Sequence, residues 1–130
     1  NEIKENVSMG RTILVAEDVE SNFLLLKAII GKTYTLLHAW NGKEAVEIYE
    51  QSHPDLILMD IKMPIMNGLE ATKIIRVEEK ELPIIMQTAY AFTADRENAM
   101  AAGASEVLVK PITLSTLRNC LSSYLPRLEW

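Results

Sequence analysis

Five side chains that could do chemistry stand directly after short apolar runs of the sequence; they are Glu17, Asp18, Asp60, Thr88 and Lys110. Three of them are carboxylates, which repel one another at close range unless a cation neutralises them. Mg²⁺ suits such a set, because it binds a few carboxylate and phosphate oxygens and keeps several waters. The lysine adds a positive charge and the threonine a hydroxyl donor for an anion. The set therefore predicts phosphoryl chemistry, in which a carboxylate can act as the nucleophile and form an acyl phosphate.

The apolar runs before these residues are typical of buried strands. The run Leu56–Met59 before Asp60 is continuous, as in a strand buried on both faces of a parallel sheet. Strands and helical runs alternate five times, which favours a parallel sheet with helices on both faces. We predict an α/β protein with a flavodoxin-like, doubly wound (βα)5 fold and a five-stranded parallel sheet in the order 2-1-3-4-5. In that order the carboxylates meet at the carboxyl edge of the sheet, between the first and third strands.

Several helix ends are marked by residues with strong capping preferences. Asn41 and Asn67 each stand three residues before a glutamate, which predicts that a helix begins after each asparagine. Gly31 and Gly103 follow helical runs and predict the ends of two other helices. The helix after Asn67 is expected to bury a stripe formed by Leu69, Thr72, Ile74 and Ile75.

Length and composition are those of one ordinary globular domain. The chain has 130 residues, of which 48% are hydrophobic and 24% charged, enough to build a packed core. The net charge of -5 gives no support for nucleic-acid binding, and no apolar run approaches the roughly 18 to 20 residues of a membrane span. A single cysteine, Cys120, excludes an internal disulfide and suits a reducing compartment. We expect a linker or disordered leader at 1–10, the folded domain at 11–126 and a tail at 127–130.

The motifs, in this order, resemble the receiver domain of response regulators in two-component phosphorelays. The matching segments cover about residues 11 to 126; they are Ile13–Asp18, Asp55–Pro64, Asn67–Gly68, Pro83–Ala89 and Val109–Pro111. The resemblance implies that Asp60 accepts a phosphoryl group from a phosphohistidine on a histidine kinase or a histidine phosphotransfer domain. It also implies that the domain itself catalyses this transfer and a slow autodephosphorylation, and that it signals by changing its partner-binding surface.

The resemblance further implies a metal site. Asp18 and Asp60 would ligate Mg²⁺ directly, with Mn²⁺ as an alternative ion. Glu17 would hold the ion through water, and the backbone carbonyl of Lys62 would complete the protein ligands.

The resemblance assigns the remaining site residues to the phosphoryl group and to the lifetime of the acyl phosphate. Thr88 and Lys110 would contact the phosphoryl oxygens, and Ala89 would keep access to the site open. Lys62, Ala89 and Tyr90 are the candidates for rate-modulating positions.

One position departs from the family pattern. Many receiver domains carry Tyr or Phe three residues before the lysine of the fifth strand, where the ring changes rotamer with phosphorylation. This chain has Val107 there, so the usual switch lacks its aromatic residue.

Other interpretations of the domain stay open at this point. A receiver-like interaction module would bind partners without phosphorylation, although the complete set of site residues argues against it. A phosphatase or hydrolase of similar fold is disfavoured, because Lys62 stands where a second acid would be needed as general acid.

The parent protein is predicted from the style of the motifs. We expect the receiver of a hybrid sensor histidine kinase rather than a single-domain response regulator. Two observations favour it: the segments after Glu17 and around Thr88, and the start at Asn1 with its polar leader. The parent chain would then be a kinase. We expect a cytoplasmic location, as the cytoplasmic domain of a membrane-anchored kinase in the hybrid case. The domain itself is expected to bind no nucleic acid and to make no direct membrane contact.

Overall fold

The computed structural model describes residues 11–89 and 93–125, so the predicted leader, the predicted tail and Tyr90 lie outside the described residues. The strands are β1 Thr12–Ala16, β2 Thr35–Ala39, β3 Leu56–Asp60, β4 Ile84–Thr88 and β5 Glu106–Val109. The helices are α1 Glu20–Ile30, α2 Gly42–Ser52, α3 Gly68–Glu78, α4 Thr93–Ala102 and α5 Leu114–Tyr124. Within the described ranges, no helix has the length and apolar character needed to cross a membrane.

The strands form one parallel sheet in the order β2-β1-β3-β4-β5, which confirms the predicted fold. In its register, Ala16 of β1 pairs with Met59 of β3, and Asp60 pairs with Gln87 of β4. Glu17, the residue after Ala16, therefore comes to the same level of the sheet as Asp60. The strand order reverses between β1 and β3, and open α/β sheets bind ligands at such a switch point.

Two apolar clusters bury the two faces of the sheet. In β3, Ile57 and Met59 belong to the cluster that includes residues of α2, α3 and α4. Leu56 and Leu58 belong to the opposite cluster, with residues of α1 and α5. Because side chains alternate along a strand, a strand covered on both faces reads as a continuous apolar run. This packing explains why the run before Asp60 has no polar residue.

Both predicted asparagine caps are present. Asn67 Oδ1 accepts a hydrogen bond from the Glu70 N–H at 2.9 Å, and Glu70 Oε1 accepts one from the Asn67 N–H at 3.1 Å. Asn41 Oδ1 accepts from the Glu44 N–H at 2.9 Å, but the Glu44 carboxylate bonds to the Trp40 N–H instead of returning to its cap. Side-chain to backbone hydrogen bonds therefore set where α2 and α3 begin.

The predicted buried stripe of α3 is wrong at one residue. Thr72 and Ile75 are fully buried, whereas Ile74 is exposed. Ile74 lies two residues beyond Thr72, which is about 200° around a helix, so the two side chains point in nearly opposite directions. Gly103 ends α4 as predicted, with φ at +113° in the left-handed region that favours glycine.

Candidate functional site

The three predicted carboxylates converge at the carboxyl edge of the sheet. Glu17 and Asp18 follow β1, and Asp60 is the last residue of β3. One carboxylate oxygen from each residue lies within 4.8 Å of the other two. Glu17 is fully buried and Asp60 nearly so, while Asp18 is exposed. The cluster is therefore anchored in the protein at one side and faces solvent at the other.

Lys110 reaches this cluster from the end of β5. Its Nζ lies 2.6 Å from Asp60 Oδ2 and 3.1 Å from Glu17 Oε1, so one ammonium group is shared by carboxylates from two strands. The other oxygen of Asp60, Oδ1, accepts a hydrogen bond from the backbone N–H of Lys62 at 3.2 Å. The peptide bond between Lys110 and Pro111 is cis. Both oxygens of Asp60 are thus oriented by polar contacts.

Burial and charge shift the pKa of both ion-pair partners. Burial raises the pKa of Glu17, and the charge of Asp60 raises it further against the lowering effect of Lys110. Burial alone would lower the pKa of Lys110, but hydrogen bonds and charge from Asp60 and Glu17 outweigh it, and the pKa of this ammonium is raised. Lys110 is therefore charged at neutral pH. A second cation near Glu17 and Asp60 would relieve the repulsion between them.

Glu17 is held through both its side chain and its backbone. Its Oε2 accepts hydrogen bonds from the Val19 N–H at 3.2 Å and from Asn22 Nδ2 at 3.5 Å. Its backbone carbonyl lies 2.8 Å from His38 Nε2. Because a carbonyl only accepts, this ring nitrogen carries the proton. The His38 ring stacks on Phe23 with a centroid distance of 3.9 Å, which fixes the ring against α1.

Thr88 connects the site to α4. This last residue of β4 is buried, and its hydroxyl donates a hydrogen bond to Asp95 Oδ2 at 3.0 Å. Asp95 lies in the first turn of α4. A hydroxyl has one proton, so Thr88 cannot donate it to Asp95 and to a group on Asp60 at the same time. A new acceptor at Asp60 would therefore compete with α4 for this hydrogen bond.

The other predicted residues lie around the site or behind it. Ala89 and Lys62 are exposed, directly after β4 and β3. Val107 is buried inside β5, in the cluster shared with α2, α3 and α4. Its aliphatic side chain packs as an ordinary strand residue.

Sequence reasoning missed three residues near the site. Asp95 lies in the first turn of a helix, where acidic residues are common because the helix dipole favours them. Its position in the sequence therefore did not indicate a contact with Thr88. His38 is a single histidine inside β2, and nothing in the sequence near it points to a contact with Glu17. Gln87 carries the clearest signal, because it is a polar residue directly after the apolar run Ile84–Met86, and it is buried beside Asp60.

The carboxylate cluster fits a divalent cation. It offers only oxygen donors, which hard cations such as Mg²⁺ prefer, and exposed Asp18 leaves one side open for waters. Two of its three members come from one turn and the third from the adjacent strand. A cation here would join β1 to β3.

Comparison with known proteins agrees with this arrangement. The family model described as the response regulator receiver domain matches residues 13–122. The chain belongs to this family. It is thus a receiver domain of two-component signalling, with the sheet order and edge site described above.

Three relatives illustrate the range of this family. This chain is 34% identical to the polar-differentiation response regulator DivK of Brucella ovis. The alignment spans 120 residues and covers 90% of this chain and 98% of DivK. This chain is 33% identical to the receiver domain of the sensor histidine kinase PA1611 from Pseudomonas aeruginosa PAO1, with a TM-score of 0.83 over 90% of this chain and 98% of that one. That structure has a magnesium ion in its active-site cleft. The receiver domain of Ssk1 from Saccharomyces cerevisiae, solved with the histidine phosphotransfer protein Ypd1, is 29% identical with a TM-score of 0.82 over 88% of both chains.

Proposed function

We propose that this receiver domain takes a phosphoryl group from a phosphohistidine onto Asp60, in a reaction that needs a divalent cation. The observation that carries the proposal is the setting of the Asp60 carboxylate. Its Oδ2 lies 2.6 Å from Lys110 Nζ, and the ligand oxygens of Glu17 and Asp18 lie within 4.8 Å of its own. A nucleophile, a cationic donor and a group of acidic ligands thus meet at one solvent-facing edge.

In the proposed reaction Asp60 is the nucleophile. One carboxylate oxygen forms a bond to phosphorus while the bond from phosphorus to the imidazole nitrogen breaks, and the electron pair of that bond returns to the ring. The product is an acyl phosphate on Asp60. Lys110 would pass from the carboxylates to the phosphoryl oxygens, and Thr88 would donate its hydroxyl to them. Both groups lower the barrier by holding the phosphoryl group in place and by balancing its charge.

We propose Mg²⁺ as the cation, with Mn²⁺ as an alternative. Asp18, Asp60 and the backbone carbonyl of Lys62 would hold it, and Glu17 would do so through water. When bound, the ion supplies positive charge that reduces the repulsion between an incoming phosphoryl group and the carboxylates. The oxygen donor set and the magnesium found in the PA1611 receiver support this choice.

The proposed phosphodonor is a histidine kinase or a histidine phosphotransfer domain. Such a partner must bring its imidazole to the edge of the sheet where Asp60 lies. Helix α1 flanks this edge, and Leu24 and Leu25 of the helix are exposed together with Val19, the residue before it. These side chains give an apolar docking surface. The complex between the related Ssk1 receiver and Ypd1 supports a partner of this kind.

We also propose that the domain, spanning residues 11–126, is the receiver of a hybrid sensor histidine kinase and acts in the cytoplasm. The related PA1611 receiver comes from a sensor histidine kinase, which supports this context. Sequencing the complete gene tests it. A kinase core encoded on the same chain would support the proposal, and a complete reading frame without one would contradict it.

The phosphoacceptor is tested by Asp60→Asn. With acetyl phosphate and Mg²⁺ as reagents, the wild-type domain should gain the mass of one phosphoryl group, and Asp60→Asn should gain none because an amide is not a nucleophile here. The measurement is intact-protein mass spectrometry.

Asp55, the residue directly before β3, provides a matched control. The Asp55 carboxylate accepts a hydrogen bond from the Thr12 N–H at 2.7 Å, and an asparagine oxygen can also accept it. Asp55→Asn should therefore be labelled like the wild type. Labelling that persists in Asp60→Asn would overturn the assignment of the phosphoacceptor.

A further inference from the structure

A half-open cleft of about 260 Å³ lies beside the carboxylate cluster, between α1 and the segment that joins β5 to α5. Leu25 and Leu26 of α1 form one wall, and Ile112 forms the other. Glu17 and Lys110 stand at its rim, where it borders the site described above. Most of the cleft is apolar and lies outside the proposed path of the phosphoryl group.

Gln87 gives this cleft a polar anchor. It lines the cleft from β4, and the residue is only 2% exposed. It lies two residues beyond Ile85, so it points to the same face of the sheet, toward α1 and α5. Among the described residues, its Nε2 is a buried side-chain nitrogen that has no hydrogen-bond partner.

An unpaired buried amide is unusual in a native protein. Such a group costs about 1–3 kcal/mol of desolvation, and most buried polar groups are therefore paired. Leu26 and Ile112 offer no acceptor from their side chains, and the Glu17 carboxylate, which also lines the cleft, already accepts hydrogen bonds from Asn22 and Lys110. A molecule in the cleft that presents an acceptor to Gln87 Nε2 would remove this cost.

The surroundings of Gln87 define the chemistry of that molecule. The apolar walls favour an apolar body. At the rim, Lys110 pairs with Glu17 at 3.1 Å and with Asp60 at 2.6 Å. One ammonium thus faces two carboxylates, so the rim is net negative and disfavours an anionic ligand. The volume has room for roughly eight or nine water-sized groups. We propose that the cleft binds a small neutral organic molecule whose carbonyl-type oxygen accepts a hydrogen bond from Gln87 Nε2 and whose apolar body packs against Leu25, Leu26 and Ile112.

The test uses N-methylpyrrolidone, which has one carbonyl acceptor and an apolar ring, on the unphosphorylated domain without added divalent cation. Under these conditions the result does not depend on whether Asp60 is a phosphoacceptor. NMR should show saturable shifts of the Gln87 side-chain amide and of the Leu25, Leu26 and Ile112 methyl groups. Methylcyclopentane, which lacks the acceptor, should leave the Gln87 amide unshifted.

Gln87→Met removes the donor and keeps the length of the side chain. It should weaken binding of N-methylpyrrolidone roughly fivefold, as expected for the loss of one hydrogen bond. Equal affinity in the wild type and in folded Gln87→Met would overturn the proposal. So would a long-lived water on the Gln87 amide that the probe does not displace.

A second pair of variants tests the apolar wall of the cleft at exposed positions of α1, so that the buried core is unchanged. Leu25 lines the cleft and is 56% exposed, whereas its neighbour Leu24 is 50% exposed and lies outside it. Leu25→Ala should lower the affinity of the probe several-fold, and Leu24→Ala should not. Equal effects of both variants would overturn the proposal. Shifts of the cleft methyl groups that appear only on adding a histidine phosphotransfer domain would assign the cleft to a protein side chain and also overturn it.

Discussion

Substitutions of Lys110 can separate the effect of its positive charge from the effect of its shape. Its ammonium contacts Asp60 and Glu17 in the resting domain and is proposed to contact the phosphoryl oxygens during transfer. Lys110→Met should reduce the labelling rate about 10²-fold or more, as when one positioned donor is removed from a transition state. The same change should raise the affinity for Mg²⁺, because one positive charge beside the carboxylates is gone. Labelling kinetics and a Mg²⁺ titration by NMR measure the two effects.

Lys110→Arg is the matched control for this prediction. It keeps the positive charge, so its Mg²⁺ affinity should stay near that of the wild type. Its planar guanidinium does not reproduce the compact ammonium, so the labelling rate should stay low. A weaker Mg²⁺ affinity in Lys110→Met than in the wild type would contradict the proposal that the charge of Lys110 opposes cation binding at the carboxylates.

Cys120 of α5 gives a prediction for the pH dependence of stability. Burial raises the pKa of its thiol from 9.0 to about 12, and the charge of Glu106 adds to the effect. Between these values the unfolded chain loses a proton that the folded chain keeps, so the free energy of unfolding falls as pH rises. From pH 8 to pH 10 this thiol should remove on the order of 1 kcal/mol of the free energy of unfolding.

Urea unfolding at both pH values measures the effect of this thiol. Other groups also titrate in this range, so the comparison is made with Cys120→Ala. The variant should lose less stability than the wild type between the two pH values, by on the order of 1 kcal/mol. The same loss in both proteins would show that the Cys120 thiol does not contribute.

At the scale of helices and strands, the sequence predicted most of what the structure contains, because the signals are local. A continuous apolar run marks β3, and Asn67 with Glu70 marks the start of α3. Alternation of these elements then leads to a parallel sheet by general rules of topology. The exposure of Ile74 was mispredicted, since apolar character alone does not say which side of a helix a residue occupies.

Contacts between elements were beyond the reach of the sequence. The hydrogen bond from Thr88 to Asp95 depends on how the first turn of α4 sits over the end of β4. The contact of His38 with the Glu17 carbonyl depends on the register between β1 and β2. The sequence shows that Gln87 is polar, but only the folded structure shows that its side-chain Nε2 has no hydrogen-bond partner.

The hydrogen bond between Thr88 and Asp95 makes α4 the element that competes with the phosphoryl group. Asp95→Ala removes this competing acceptor. Since one hydrogen bond contributes about 0.5–1.5 kcal/mol, labelling of Asp60 should become roughly 2- to 10-fold faster. Glu97→Ala removes an exposed acid of the same helix and should leave the rate unchanged. An unchanged or slower rate in Asp95→Ala would contradict the competition.

For the whole molecule, the site depends on residues that only the folded chain brings together. Glu17, Asp60 and Lys110 lie far apart in sequence and stand at the carboxyl ends of three strands of one sheet. The apolar clusters on both faces hold these strands in register. A cation that binds the cluster therefore binds the folded state in preference to the unfolded chain, and its binding must appear as stability.

This linkage predicts that Mg²⁺ raises the melting temperature of the domain. At ten times the dissociation constant, the gain is about 1.4 kcal/mol, which corresponds to a rise of a few degrees for a chain of this size. Thermal unfolding followed by circular dichroism, over a MgCl₂ series at constant ionic strength, measures it. Asp18→Asn should abolish most of the rise without harming the fold, because Asp18 is exposed. Glu20→Gln, equally exposed two residues further on, should keep the full rise. If all three proteins gained the same stability, the effect would be general screening of the negative charge, and the carboxylate cluster would not be a specific metal site.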